Sequence, residues 1–248
     1  MSLLSVEALL KSFGGVVAVD NVAFQLQQSE FLALIGPNGA GKSTCFNLLY
    51  GLLIPDAGSV RLDGRDITAM RPRDIWRLGV GRTFQITATF ASMTVIENVQ
   101  MALISHAGMS FSVLARARTM ACERALELLD LVGMADQAGR AASVLAYGDL
   151  KRLELAIALA HAPNLLLMDE PTAGMAPAER GALMALVSAI VREQNMASLF
   201  TEHDMDIVFG HADRVLVLNR GVLIAEGSPD AIRADARVRD VYLGGGHA

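Results

Sequence analysis

Apolar and polar residues follow several different rhythms along this chain, and the changes of rhythm mark its elements. Two opening stretches, "LLSVEALLKSF" and "VAFQLQQSE", are short, partly alternating and β-branched, the pattern of an antiparallel strand pair. "EFLALI" is an unbroken apolar run that reads as a buried strand. It passes through "GPNGAGKST" into a helical "CFNLLYGLL", stopped by Pro55 and turned by Asp56 to Gly58. Beyond the strand-like "SVRLDG" and the run "GVGRTFQ" the period lengthens: "TVIENVQMALI", "MACERALELLDLVGM" and "LKRLELAIALAHA" all read as helices, which predicts an inserted helical subdomain over about 93–162. The short apolar runs "NLLLMDE", "ASLFTEH" and "RVLVLN" then alternate with helical segments such as "PAERGALMALVSAIVREQ". That alternation predicts an α/β fold with a mostly parallel sheet covered by helices, preceded by an N-terminal antiparallel β subdomain. Residues 1–248 read as a single domain, without internal repeats, and only the tail "GGGHA" looks loose.

Composition sharpens the picture in two places. The chain is 52% hydrophobic with a mean hydropathy of +0.39. No window offers the roughly 18 unbroken apolar residues a membrane span requires: the greasiest stretch, "LELAIALAHAPNLLLMDE", is interrupted by His161, Pro163 and Asn164. A well-filled core with buried parallel strands accounts for this, as does an apolar surface that docks on a partner. The net charge of −5, with no cluster of Lys and Arg, argues against a nucleic-acid partner. Cys45 and Cys122 lie far apart with no metal-ligand spacing, and the N-terminus shows no signal peptide, so a reducing intracellular setting is expected.

The chemistry begins at "GPNGAGKST", which matches the phosphate-binding pattern Gly-x-x-x-x-Gly-Lys-Ser over Gly36, Pro37, Asn38, Gly39, Ala40, Gly41, Lys42 and Ser43, with Thr44 following. Its glycines let backbone N–H groups wrap phosphate oxygens, and the helix that follows adds a favourable dipole. Lys42 is placed to hold β and γ phosphates, and the Ser43 hydroxyl to ligate Mg²⁺. These are the marks of a P-loop NTPase core. "NLLLMDE" drives an apolar strand through the core and leaves Asp169 at its carboxyl end, where an open α/β sheet has its ligand crevice. Asp169 fits the acid that orients Mg²⁺, and Glu170 a base that polarises attacking water. "TVIEN" carries a capping box, Thr94 with Glu97 three residues on.

Together these motifs resemble, over essentially the whole chain, the ATP-binding subunit of an ATP-binding cassette (ABC) transporter, within that family the importers for branched-chain amino acids and related amides. The resemblance implies further roles. Phe13 in "KSFGG" would stack on adenine; Gln85 in "RTFQ" would reach Mg²⁺ and the attacking water; His203 in "TEHD" would contact the γ-phosphate. "LAYGDLKRLELA" stands at the family's signature motif, Leu-Ser-Gly-Gly-Gln, which opens a helix and contacts the nucleotide held by the opposite subunit. Here Ala146, Tyr147 and Asp149 replace serine, glycine and glutamine around Gly148, and Asp149 is expected to turn away from the nucleotide. Ala176 replaces the aspartate usual after the catalytic glutamate. Phe90, Met93, Val95 and Ile96 fall where a cytoplasmic helix of the transmembrane permease docks. The implied partners are permease subunits, a second identical or paralogous ATP-binding subunit and, indirectly, a substrate-binding protein, at the cytoplasmic face of the inner membrane. A permease-free cassette ATPase and a small-molecule P-loop kinase are the alternatives.

Overall fold

Two sheets organise the chain, a computed structural model of which describes residues 2–83, 89–107 and 114–243. The first sheet begins with the expected hairpin, β1 (Ser2–Phe13) against β2 (Val16–Gln27), through a turn in which Gly14 and Gly15 both have positive φ. After β3 (Phe31–Ile35), which belongs to the second sheet, β4 (Ala57–Leu62) and the short β5 (Arg65–Asp66) complete the first, in the order β2-β1-β4-β5, antiparallel throughout. The second adds β6 (Val80–Thr83), β7 (Leu165–Asp169), β8 (Ala197–Thr201), β9 (Arg214–Asn219) and β10 (Val222–Gly227), in the order β10-β9-β3-β8-β7-β6. Its pairs are parallel except the last, where β10 returns antiparallel to β9 along one edge.

The unbroken apolar runs are explained by burial on both faces. Along β3, Phe31, Ala33 and Ile35 point into one core and Leu32 and Leu34 into another. The same period of two divides Leu166 and Met168 from Leu165 and Leu167 on β7, and Val215 and Val217 from Leu216 and Leu218 on β9. The second core lies between the two sheets and takes in Leu4, Leu9, Val22, Leu26 and Phe46. Much of the excess hydrophobicity is therefore internal. Both cysteines are free, and no described helix is long and apolar enough to cross a membrane.

Around the strands run α1 (Lys42–Leu49), α2 (Pro72–Arg77), α3 (Val95–Ala107), α4 (Leu114–Leu131), α5 (Tyr147–Leu159), α6 (Pro177–Glu193), α7 (Met205–His211), α8 (Pro229–Ala234) and α9 (Ala236–Leu243). The first of these corrects an expectation: α1 ends at Leu49, not at Pro55. Gly51 turns the chain out of it with φ +71, against the Met70 carbonyl, which would stand 2.3 Å from any Cβ there. The capping box at α3 is present: Thr94 N–H donates to Glu97 Oε2 at 2.8 Å, and Glu97 N–H returns to Thr94 Oγ1 at 3.4 Å.

Where α2, α3 and the end of α5 meet, the rings of Trp76, His106 and His161 pack together, with His161 4.9 Å from Trp76 and 5.8 Å from His106. Burial, aided by the neighbouring His106, pushes the His161 pKa down to about 4 against a bond to the Val80 backbone. The folded protein therefore binds fewer protons than the unfolded chain between about pH 4 and 6.5. Stability is expected to fall as pH drops through that window, by about 3 kcal/mol at most, and to be insensitive to this group above it. Urea unfolding midpoints measured across the window should decline less steeply in His161→Gln.

Candidate active site

The carboxyl ends of three adjacent parallel strands, β3, β8 and β7, deliver the expected phosphate loop, His203 and Asp169 with Glu170 to one edge of the sheet. The loop is held by packing as well as by its freedom. A Cβ on Gly36 would lie 2.1 Å from the Leu218 carbonyl, and one on Gly41 2.2 Å from that of Ala18. Gly39 meets nothing in space and is there for its φ of +77. Between them Pro37, Asn38 and Ala40 complete the bend, and Lys42, Ser43 and Thr44 open α1 from the left-handed Gly41. The Lys42 ammonium folds back to donate to the carbonyls of Gly36 at 2.7 Å and Pro37 at 3.2 Å. Burial lowers its pKa, while the nearby Glu170 and Asp169 carboxylates pull the other way. A desolvated cation facing two carboxylates beside a curl of backbone N–H groups suits a polyphosphate carrying a divalent cation. The hard oxygens of Ser43 and Asp169 are the donor type that Mg²⁺ takes.

Strand β8 clamps the acidic pair. Thr201 Oγ1 donates to Asp169 Oδ1 at 2.7 Å and accepts from the Glu170 N–H at 3.0 Å, while the Thr201 carbonyl accepts from the same N–H at 3.2 Å. Glu170 sits at φ +51, unusual for a residue with a Cβ. Its Oε1 lies 2.7 Å from His203 Nε2; because a carboxylate only accepts, that nitrogen carries the hydrogen. Behind them the buried Glu202 accepts from the Thr172 N–H at 2.9 Å and hydroxyl at 2.7 Å, tying the segment after Glu170 to β8. Arg82 at the end of β6 donates to Asn47 Oδ1 at 2.9 Å and feels the Asp169 charge. Thr201, Glu202, Thr172 and Arg82 were not visible as site residues in the sequence. Each lies at or just beyond an ordinary-looking strand end and gains its role from a partner 30 or more residues away in sequence; for Arg82 it is Asn47 on α1.

The remaining residues lie on other elements. Phe13 ends β1 46% exposed and available for stacking; Lys11, ion-paired to Asp56 at 2.7 Å, holds its ammonium 5.6 Å from the centre of its ring. Hydrogen bonds from Lys11 and Ser12 bring the Asp56 carboxyl down to about 2. Ala146 is the N-cap of α5, without a side-chain cap; Tyr147 packs on Gly174, and Gly148 faces the Glu179 carboxylate. Asp149 accepts from Gln137 Nε2 at 3.2 Å, directed at the helical segment. Ala176, in the aspartate position, caps α6 by backbone alone. Gln85 lies outside the described residues. The permease-docking quartet divides: Phe90 is exposed, Met93 is half-buried, Ile96 packs on the core, and Val95 is wholly buried, so Val95 is corrected to a core residue.

The family described as ABC transporter matches residues 19–173. The chain belongs to the ABC transporter family. It is accordingly an ATP-binding cassette ATPase, of a family in which the importers' ATP-binding subunits dimerise and work with permease components. A second family, the branched-chain amino acid ATP-binding cassette transporter, matches residues 222–248. Among curated relatives, the cassette is 41% identical to the high-affinity branched-chain amino acid transport ATP-binding protein LivG of Salmonella typhimurium, over 98% of each chain. It is 38% identical to BraF of Pseudomonas aeruginosa, a protein of the same description, again over 98% of each. Among solved structures, a nucleotide-free ATP-binding cassette from an ABC transporter superposes with a TM-score of 0.87 at 31% identity, covering 98% of this chain and 99% of that one.

Proposed function

We propose that this cassette energises import of branched-chain amino acids or related amides, as a dimer seated on permease subunits at the cytoplasmic face of the inner membrane. A substrate-binding protein on the far side would supply the cargo. The observation that carries the catalytic part is the pairing of Glu170 with His203 at 2.7 Å beside Asp169 and Lys42; the cargo rests on the likeness to LivG and BraF. The whole chain, 1–248, is read as one ATPase domain in which about 93–162 form the helical subdomain.

In this reading Phe13 stacks on adenine, and the N–H groups of Gly36 to Thr44 with Lys42 bind the phosphates. Ser43, Asp169 and Gln85 hold Mg²⁺, which supplies charge neutralisation on the phosphate oxygens. Glu170 polarises the attacking water, and His203 aims Glu170 and reaches toward the γ-phosphate. Two subunits close head to tail, so that the Ala146–Tyr147–Gly148 turn of each faces the nucleotide on the other. The α5 dipole and its uncapped N–H groups suit that contact without a serine at Ala146. Positioning and electrostatic stabilisation carry this catalysis, which makes each element indispensable.

Permease dependence tests the transport reading. Phe90→Asp and Met93→Asp should reduce copurification with the membrane subunits by about tenfold or more while sparing ATP binding, because a charge would enter an apolar contact. Ile96→Asp is less informative, since it also strikes the core. Normal assembly of both variants would move the docking surface elsewhere, and failure to recover any membrane subunit with the parent would favour a permease-free ATPase.

A further inference from the structure

The tip of the β1–β2 hairpin carries a polar clamp that the chemistry above does not use. Toward Phe13 the pairing of β1 becomes irregular: its register against β2 shifts on either side of Lys11, and its contact with β4 ends where Leu10 lies opposite Ala57. Asp56, the residue before β4, takes over from the ladder. Its N–H donates to the Leu10 carbonyl at 2.8 Å, and its Oδ2 accepts from the Ser12 N–H at 2.7 Å and the Ser12 hydroxyl at 3.0 Å. Its Oδ1 accepts from Lys11 Nζ at 2.7 Å. One carboxylate therefore holds both residues that precede Phe13. Asp56 also follows α1, the helix that Lys42 and Ser43 open, so the connection leading away from the phosphate loop reaches the end of β1.

Beyond the clamp Phe13 has little to hold it. Gly14 and Gly15, which follow, turn through open space, with nothing within 4 Å of a Cβ at either. No other ring of the described residues stacks on Phe13. The Lys11 ammonium does stand over its ring, 5.6 Å from the centre and within the range of a cation–π contact. Lysine is ordinarily a mobile, strongly hydrated charge on a flexible stem; here the Asp56 carboxylate fixes it, and its side chain is only 16% exposed. An ion pair so near the surface adds little to stability. What it supplies is direction: a fixed backing on one face of an aromatic ring, so that a planar ligand meets the other face without having to order the ring first.

We propose that Lys11 and Asp56 are positioning residues for the nucleobase: Asp56 fixes the end of β1 and the Lys11 ammonium, and Lys11 backs the Phe13 ring so that its opposite face is set for adenine. The clamp acts on the base alone, whereas the phosphates are held by Gly36 to Thr44 whether or not a base is attached. The inference rests on the reading of Phe13 as the adenine stack.

Calorimetric titration of the full-length chain with ADP and with pyrophosphate, at the same Mg²⁺ concentration, separates the base from the phosphates without turnover. The ratio of the two affinities measures what the nucleoside adds, and Phe13→Ala should cut it by about tenfold or more, the size of a base stack. Lys11→Met and Asp56→Ala should each cut it by about three- to tenfold while pyrophosphate affinity stays within about twofold of the parent; Lys11→Arg, which keeps the cation and its carboxylate, should retain the parent ratio. The deciding measurement is a double-mutant cycle: in a Phe13→Ala chain, Asp56→Ala should change ADP affinity by less than about twofold, because no ring is left to position. Equal losses with and without Phe13, losses shared by pyrophosphate, or a parent ratio in both clamp variants would overturn the proposal. If Asp56→Ala does not fold, the same cycle with Lys11→Met decides. A Phe13→Ala chain with the parent ratio would instead overturn the adenine-stacking reading, and this inference with it.

Discussion

Glu170→Gln is expected to bind MgATP with the parent affinity and to lose turnover by roughly 10²- to 10⁴-fold, the contribution of a positioned general base. The substitution isolates basicity because the geometry survives it. The backbone N–H of residue 170 stays clamped by Thr201, and a glutamine Oε1 can still accept from His203 Nε2 at the 2.7 Å now occupied by the carboxylate. Glutamine is no more strained than glutamate at φ +51. What disappears is the group that takes the proton from water, so the variant should stall with ATP bound and two subunits closed. Single-turnover ATPase in the assembled complex, with equilibrium nucleotide binding alongside, measures both halves. Turnover within about twofold of the parent would remove Glu170 from the role of base.

Gly148→Asp should abolish ATPase in the complex while the isolated subunit binds ATP normally, because the damage falls on the nucleotide of the opposite subunit. A carboxylate at that position would face the incoming γ-phosphate across the dimer, in a site where charge is poorly screened. Its effect on the fold is small by comparison. A Cβ at Gly148 meets the Glu179 side chain at an ordinary 3.5 Å. Repulsion from that carboxylate is of order 1 kcal/mol or less at the surface, and an acid in the first turn of α5 recovers about 0.3–1 kcal/mol from the helix dipole. Gly148→Ala separates sterics from charge and should retain much of the activity. A fully active Gly148→Asp complex would make "LAYGDLKRLELA" a structural helix start and nothing more.

The elements that the amino-acid sequence determined by itself are those whose signal is local. The burial of β3, β7 and β9 on both faces is written in their unbroken apolar runs. The passage from β3 through Gly36–Ser43 into α1 is local too, because phosphate binding needs glycine freedom and a helix N-terminus within a few positions. The reciprocal cap of Thr94 and Glu97 is equally short-range. What only the tertiary structure decided depends on residues distant in sequence. Gly51 ends α1 because the Met70 carbonyl leaves no room for a Cβ. Val95 reads as a surface apolar residue beside Phe90 and Met93 until α3 packs it into the core. β10 joins β9 antiparallel at the edge of an otherwise parallel sheet, a choice its own pattern does not record. Thr201 becomes the clamp of the acidic pair, and Glu202 the anchor of Thr172 behind it, only once β7 and β8 lie in register, Asp169 opposite Thr201. Strand identity follows from nearest neighbours along the chain, whereas the hydrogen bonds that aim Asp169, Glu170 and His203 exist only after strands far apart in sequence are brought side by side.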